Sequence, residues 1–443
     1  MCTVQQHSTI WKAFIALIIV AVIFYTALAS WNSKLRKSFE TSPQKTISVL
    51  DTLQRDMQNG TERHNSPQYL ETNVKFYMTF SYSEQLSMAT ENLIALSALA
   101  AYDGRSVVVP FVNNSRLLAE NLRNETQSLE LYYNLSAFNS KLRSRGYSAL
   151  VSWESFQDVC RKRLDLLLHF VYGKEATHLR QKRNNMQSVV FPCSGRPKHK
   201  DFFEGFRITR TICVDVGILR SVETFHSKVI KGIPCVGIVE WRGNGTLTSF
   251  RAKFALPLNI HRPLSKSDFS SFFNETLLKI ARDFKSHSLA SNYISVHIRS
   301  EKILKRPNGS TLALLKCFKE TAAQVQEYRD PDEKRRGGNN RKIFVAVDFL
   351  ASGSKRFGVL PARNAASSLA KHLNELLDNP VFFQPHVYNL FDGGSVVIVE
   401  MSILALGSQL FLAGGGSFES WIKQQFMERN KKGYAKVHNL CTE

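Results

Sequence analysis

The chain is expected to be an α/β protein: two doubly wound, Rossmann-like halves facing a cleft, behind one N-terminal transmembrane helix and a stem. Three observations predict this. Residues 74–109 read as strand, helix, strand; the last 160 or so residues alternate apolar strands with amphipathic helices; and residues 13–30 are an almost unbroken apolar run. Parallel βαβ units cross over right-handed, and open sheets built from them hold ligands at the carboxyl ends of their strands.

The apolar run is bounded by Lys12 and by Lys34, Arg36 and Lys37. Its length suits a single helix across a thin bilayer. A cleaved signal peptide is the other reading, since Ala27-Leu-Ala29 resembles a cleavage site, but the run exceeds a usual signal core. The expected organisation is a cytoplasmic tail over 1–12, a signal anchor over 13–30 and a stem over 31–70 broken by Ser42-Pro43, Asn59-Gly60 and Ser66-Pro67. A first Rossmann-like domain then spans 71–265 and a second 266–443. Positive charge is heavier on the carboxyl flank of the anchor, against the positive-inside tendency. Sequons decide the orientation instead: Asn59, Asn113, Asn124, Asn134, Asn244, Asn274 and Asn308 all head acceptable glycosylation sites, which makes the bulk of the chain lumenal. After the anchor come Cys160, Cys193, Cys213, Cys235, Cys317 and Cys441, enough for three bridges in an oxidising lumen, with the connectivity open. No cysteine spacing, and no cluster with histidine, reads as a zinc site.

The formal net charge is +21. Basic stretches such as Arg180-Gln-Lys-Arg183, Arg196-Pro-Lys-His-Lys200 and Lys334-Arg-Arg336 suit nucleotide diphosphates, anionic glycans or acidic partners, or are simply solvated loops. They lack the aromatic interleaving that stacks bases, so no nucleic-acid partner is indicated.

In the first half, Val74–Phe80 is a predicted strand and Ser83–Tyr102 a helix closed by Gly104. Ser106–Val109 is a second strand, stopped by Pro110. The middle, about 150–260, is less regular, and Trp153 and Trp241 read as core. The second half predicts helices over 268–285, 311–327, 365–377, 396–406 and 417–428, and strands over 293–298, 343–347, 386–390 and 408–412.

Chemistry concentrates at the carboxyl ends of the later strands. In Asn292-Tyr-Ile-Ser-Val-His-Ile-Arg-Ser300, His297 and Arg299 share one side of a strand, and arginine grips a diphosphate bidentately. The plainer reading is a polar exit from the core. Ile343-Phe-Val-Ala-Val347 ends in Asp348, which either accepts hydrogen bonds from a base or ribose or caps the turn after it. Gln409-Leu-Phe-Leu-Ala413 runs into Gly414-Gly-Gly-Ser417 and an amphipathic helix. Strand, glycine turn and helix start form a phosphate cradle, or only a tight turn. The turn is neither a Walker loop nor a dinucleotide fingerprint.

Val296-His-Ile-Arg299, Phe344-Val-Ala-Val-Asp348, Glu400-Met-Ser-Ile-Leu404 and Leu410-Phe-Leu-Ala-Gly-Gly-Gly-Ser-Phe418 together resemble the ordered donor-site motifs of one enzyme group. These are the GDP-fucose-dependent fucosyltransferases of the protein O-fucosyltransferase and α1,2/α1,6 superfamily, which have GT-B architecture. The resemblance covers the second domain well and the start of the first loosely. It implies that Arg299 holds the β-phosphate of GDP-fucose and stabilises the leaving diphosphate, and that His297 lines the guanosine or phosphate side. It further implies that Asp348 contacts guanine or ribose, that Glu400 is the acidic position of the preceding helix, and that Gly416, Ser417 and Phe418 close over the phosphates. No cofactor and no metal are expected, because protein cations and NH groups take that part.

The first domain departs from the pattern. Where related enzymes carry a glycine-rich turn after the first strand, this chain has Phe80-Ser-Tyr-Ser-Glu-Gln85. Glu84 is the nearest candidate general base for an acceptor hydroxyl, or else an early helix acid favoured by the dipole. Asp330-Pro-Asp332 fits an Asp-x-Asp metal motif but sits in a basic loop and reads as exposed charge. The expected protein is a type II, single-pass Golgi fucosyltransferase, with the ER as the second location; no carboxyl-terminal retention tetrapeptide is present. Its partners are GDP-fucose, a protein or glycan acceptor and, through the anchor, the membrane. The alternatives are a lumenal binding protein that keeps the scaffold without transfer, and a GT-B enzyme using another nucleotide sugar.

Overall fold

Short β-branched and aromatic runs between helix caps give this chain two parallel sheets. A computed structural model of the chain describes residues 74–79, 86–112, 127–171, 190–191, 193, 205–215, 225–239, 266–289, 291–328, 341–348, 363–390, 392–430 and 435–441. The expected tail, anchor and stem, and the residue before the 265/266 boundary, lie outside the described residues. Among the described residues no helix is long and apolar enough to cross a membrane.

The first sheet takes strands β1 (Phe76–Thr79), β2 (Ser106–Val108), β3 (Leu150–Val151), β5 (Leu166–Val171), β6 (Val190–Phe191), β8 (Thr211–Asp215) and β9 (Cys235–Val239). Between them β4 (Arg163–Leu164) and β7 (Arg207–Ile208) form a separate two-stranded ribbon. The order in the sheet is β3-β2-β1-β9-β5-β8-β6, parallel except for β6. Helix α1 (Leu86–Tyr102) makes the β1–β2 crossover, and Gly104 leaves it at φ +61, as the glycine cap predicts. Helices α2 (Leu135–Ser144) and α3 (Trp153–Cys160) start at Asn134 and Ser152, whose side chains accept from Ala137 N and Ser155 N.

The second half contains α4 (Glu275–Ser288), β10 (Ile294–Ile298), α5 (Ser300–Leu304), α6 (Thr311–Glu327), β11 (Ile343–Val347) and α7 (Arg363–Leu377). It continues with β12 (Val381–Phe382), α8 (Gly393–Leu404), β13 (Gln409–Ala413), α9 (Ser417–Arg429) and β14 (Lys436–Leu440). Its sheet is wholly parallel in the order β12-β11-β10-β13-β14. Succession runs outward from β10 to one edge and then resumes at β13 on its other side. The gap between the ends of β10 and β13 is therefore a topological switch point, the place where such sheets bind ligands.

Three expectations are corrected. The strand expected at 386–390 is a 3-10 turn, Pro385–Tyr388, because proline at its first position removes a ladder donor; the strand is the shorter β12. The helix expected over 268–285 is split into the 3-10 segment Lys266–Phe272 and α4, since Asn274 turns its side chain back to cap a new start. The polar edge strand β14 was not expected at all.

One apolar cluster joins the two sheets. Tyr77, Leu168 and Ile238 of the first sheet and Phe344, Leu410 and Leu412 of the second share it with Leu93 of α1, Leu277 of α4, Val399 of α8 and Trp421 of α9. Each such fully buried aliphatic side chain contributes roughly 1.5–3 kcal/mol. A polar pin crosses the same region: Tyr132 donates to Asp392 Oδ1 at 2.8 Å, while Asp392 caps α8 through Gly394 N and Ser395 N. Gly394 lies so close to the Tyr132 ring that a Cβ there would sit 2.3 Å from it. The outer face of the second sheet is closed by α6 and α7 through Leu314, Phe318 and Leu373.

All six cysteines beyond the expected anchor are bridged, as Cys160–Cys235, Cys193–Cys213 and Cys317–Cys441. The last ties edge strand β14 to α6 across a sequence separation of 124. Cys317→Ser with Cys441→Ser is expected to lower unfolding stability by about 2–4 kcal/mol, because the bridge closes a long loop of the unfolded chain. A urea midpoint unchanged under non-reducing conditions would show that the bridge does not constrain folding.

Candidate diphosphate-binding site

Strand β10 positions the site by parity. Ile294, Val296 and Ile298 pack on the outer face with α6 and α7, so His297 turns to the opposite face and lies only 6% exposed. Arg299 follows at the strand's end, its N–H donating to Ala413 O at 2.7 Å across to β13. The chain then bends into α5, and the guanidinium is left at the switch point.

The glycine turn closes on that arginine. Gly414, Gly415 and Gly416 have φ of +118, +80 and +117, a run that side-chain-bearing residues rarely adopt. A Cβ on Gly414 would stand 2.6 Å from Arg299 O, and one on Gly416 would stand 2.7 Å from an Arg299 terminal nitrogen and 3.7 Å from Lys302 Cε. Glycine is thus required for the backbone path and, at Gly414, for the close approach of the Arg299 backbone, while at Gly416 it leaves the guanidinium its present position. Helix α9 begins directly after, with Gly416 at its N-cap and no side-chain cap bond. The early NH groups of a thirteen-residue helix, one arginine and one lysine therefore converge on one spot.

Beneath the cradle lies a layer of acids. Glu419, 5% exposed, accepts from Gly415 N at 2.7 Å through one carboxylate oxygen and meets His297 Nδ1 at 3.3 Å through the other. The Phe418 ring stands edge-on to His297 at 5.5 Å. Asp348 accepts from Ser300 N at 3.0 Å, from the Ser300 hydroxyl and from Glu301 N at 2.9 Å. It therefore caps α5, the helix after the neighbouring strand, whereas sequence offered a nucleoside contact or a cap on its own following turn. Burial raises its carboxyl, opposed by those hydrogen bonds and the His297 charge.

Glu400 is half-buried on α8, whose surface is otherwise almost wholly packed. Burial, and then the charge of Asp348, push its carboxyl up to about 8. Between the ordinary glutamate value near ~4.3 and that figure, the folded chain keeps a proton that the unfolded chain has released. Stability from this group therefore falls as pH rises through the window and is level above it. Glu400→Gln is expected to match the parent near about pH 5 and to unfold at higher denaturant than the parent at about pH 8. Parallel pH curves for the two proteins would remove Glu400 from this role.

Ser417 is exposed at the mouth of the cradle, and Gly416 is exposed beside it. So His297, Arg299, Gly416, Ser417 and Phe418 come together at one sheet edge, with Asp348 in the layer below. Glu84, Gln85, Asp330 and Asp332 lie outside the described residues. Sequence reasoning missed Lys302 and Glu419. A Glu two residues after Ser417, in the first helical turn, was the available signal for the second; nothing marked the first.

Of the sequons, Asn134 and Asn308 are exposed, and Asn274 is half-buried with its Nδ2 donating to Glu130 O at 2.8 Å. Asn59, Asn113, Asn124 and Asn244 lie outside the described residues. The fold also brings His169 within 4.8 Å of Cys193 and Cys213, a cluster no spacing announced. The two sulfurs are bonded to each other, so they are not thiolate ligands.

The class this geometry defines is a doubly wound α/β protein whose switch point brings an arginine against a glycine turn and a helix start. Solved structures similar to the chain include POFUT1 in complex with GDP-fucose, at 13% identity over 83% of this chain and 98% of that one, TM-score 0.46. They include the apo form of POFUT1, at 13% identity over 84% and 99%, TM-score 0.46. NodZ α-1,6-fucosyltransferase co-crystallised with GDP is similar at 11% identity over 80% and 92%, TM-score 0.37. No family model and no curated protein sequence matches the chain.

Proposed function

We propose that this protein is a glycosyltransferase that moves fucose from GDP-fucose to a hydroxyl of a protein or glycan acceptor. The observation that carries this reading is the Arg299 guanidinium lodged against Gly416 at the open start of α9. A diphosphate seated there meets a bidentate cation and the NH groups of a helix start, with the exposed Lys302 within reach. As the bond from the sugar to the β-phosphate breaks, negative charge grows on the diphosphate, and Arg299 is the side chain that takes it up. Because these charges belong to the protein, the transfer is assigned no metal.

GDP-fucose, among nucleotide sugars, follows from the resemblance to the three ordered donor-site motifs. His297 is assigned to the guanosine or phosphate side, Glu400 to the acidic position on α8, Ser417 and Phe418 to closing over the phosphates, and Glu84 to accepting the proton of the acceptor hydroxyl. Three disulfides support an oxidising, lumenal compartment; a type II Golgi enzyme is the reading suggested by the apolar run over 13–30 and the sequons.

The test is a nucleotide-sugar panel on the purified chain, with and without a chelator, reading both binding and donor hydrolysis. GDP-fucose binding with turnover that survives the chelator is the expected result. Tight binding of a UDP-sugar without response to GDP-fucose overturns the donor. GDP-fucose binding with neither hydrolysis nor transfer assigns the scaffold to a binding protein.

A further inference from the structure

The ribbon of β4 and β7 combines three features that each work against stability or solvation economy and that meet in one place. First, helix α3 leaves through two consecutive left-handed residues, Arg161 at φ 49 and Lys162 at φ 56. Glycine or asparagine ordinarily takes such positions, because a Cβ crowds the next carbonyl. The other consecutive left-handed pair of non-glycine residues among the described residues, after α7, is Asp378 and Asn379, side chains that tolerate it.

Second, Arg163 stands directly opposite Arg207 in the ladder, a like-charge pair that a ribbon normally avoids. Third, Arg210 follows on the same segment, and all five cations are exposed. The acids in α3 and the ribbon strands are Glu154, Asp158 and Asp165, of which Asp165 pairs with Arg163 at 3.0 Å.

The ribbon is also a rigid mount. Leu164 is fully buried beneath it with Phe156, and the Cys160–Cys235 bridge fixes the end of α3 to the start of β9. A solvated charge run would sit on a loose loop; this one is held by a disulfide and a hydrophobic floor. It lies by the starts of β5 and β9, since Asp165 N donates to Cys235 O. That is the amino-terminal edge of the first sheet, so the patch is separate from the donor cradle at the carboxyl edge of the second.

We propose that this ribbon is a docking surface for a linear sulfated or carboxylated polysaccharide. Four of the five cations are arginines, which engage planar and tetrahedral oxyanions through paired N–H groups better than lysine does. Carried on two paired strands and the helix exit before them, they present several cations to a polymer bearing repeated anionic groups. Bridged cysteines belong to compartments where such glycans, and not nucleic acids, are at hand. The inference does not depend on the fucosyl reading.

The test uses the full chain and heparin fragments as probe. Arg161→Gly with Lys162→Gly relieves the left-handed strain while removing two charges; Arg207→Ala with Arg210→Ala removes two without touching it. Lys316→Ala with Lys319→Ala, exposed on α6, is the equal-charge control. Both ribbon variants are expected to bind heparin roughly five- to tenfold more weakly, as two lost ion pairs imply, with the control nearly unchanged. The glycine variant should keep or raise its Tm, a pairing of better folding with poorer binding that a structural cap would not give. Equal losses in ribbon and control variants reduce the effect to net charge and overturn the proposal. Stronger binding of polyglutamate or single-stranded DNA than of heparin overturns the glycan class.

Discussion

Arg299→Ala is expected to weaken GDP binding by at least about 100-fold, close to 3 kcal/mol, while the folded chain remains intact. The magnitude follows from two charge-assisted hydrogen bonds to the diphosphate, each worth about 1.5–3 kcal/mol. The fold should survive because the two backbone bonds at this position do not depend on the side chain: Arg299 N bonds Ala413 O, and Arg299 O accepts from Lys302 N in the α5 turn. Removing the side chain leaves both. Arg299→Lys keeps a charge but not the fork, so it should recover only part of the affinity, whereas a purely through-space role would be restored by either cation. Isothermal titration with GDP on the three proteins, beside thermal melts, measures this. A folded alanine variant with parental GDP affinity would remove the arginine from the donor site and, with it, the main support for the proposed reaction.

How much of this was legible beforehand depended on what kind of signal each element carries. Strand β11 and helix α6 were readable to the residue because a continuous β-branched run and a capped amphipathic run admit few alternatives. Strand β14, Lys-Val-His-Asn-Leu, hid because an edge strand buries little and carries polar side chains; only Leu440 is buried. The 3-10 turn at Pro385–Tyr388 differs from the strand expected over 386–390 because the segment buries no side chain, Val387 being 62% exposed. At the site, His297, Arg299 and the glycine turn were visible because period-two facing and strand-turn-helix order are local properties. Glu419 and Lys302 were not, since each owes its place to the approach of β10 and β13. Asp348 shows the limit of reading a strand end by itself. Val347 pairs with Ile298, and that register carries the carboxylate to the start of α5, where two backbone N–H groups claim it.

The same dependence on approach makes Gly416 the second decisive position, and its neighbour a built-in control. Alanine at Gly416 must accept φ +117 and put its Cβ 2.7 Å from an Arg299 terminal nitrogen, so the end of that side chain has to shift from its place beside the turn. Alanine at Gly415 must accept φ +80 but meets nothing within 4 Å. Both variants carry a backbone penalty of roughly 1–2 kcal/mol, somewhat more at Gly416, whose angle lies farther from the left-handed well. Only one displaces the arginine. Gly416→Ala is therefore expected to lose GDP affinity by about 100-fold, near the Arg299→Ala loss, whereas Gly415→Ala should lose less than about tenfold at a similar drop in Tm. In the double variant Arg299→Ala, Gly416→Ala the two losses should overlap and not add, because the glycine acts through the arginine. Additive losses, or equal losses at the two glycines, would mean that the turn binds the nucleotide through its backbone alone and that Arg299 merely packs beside it.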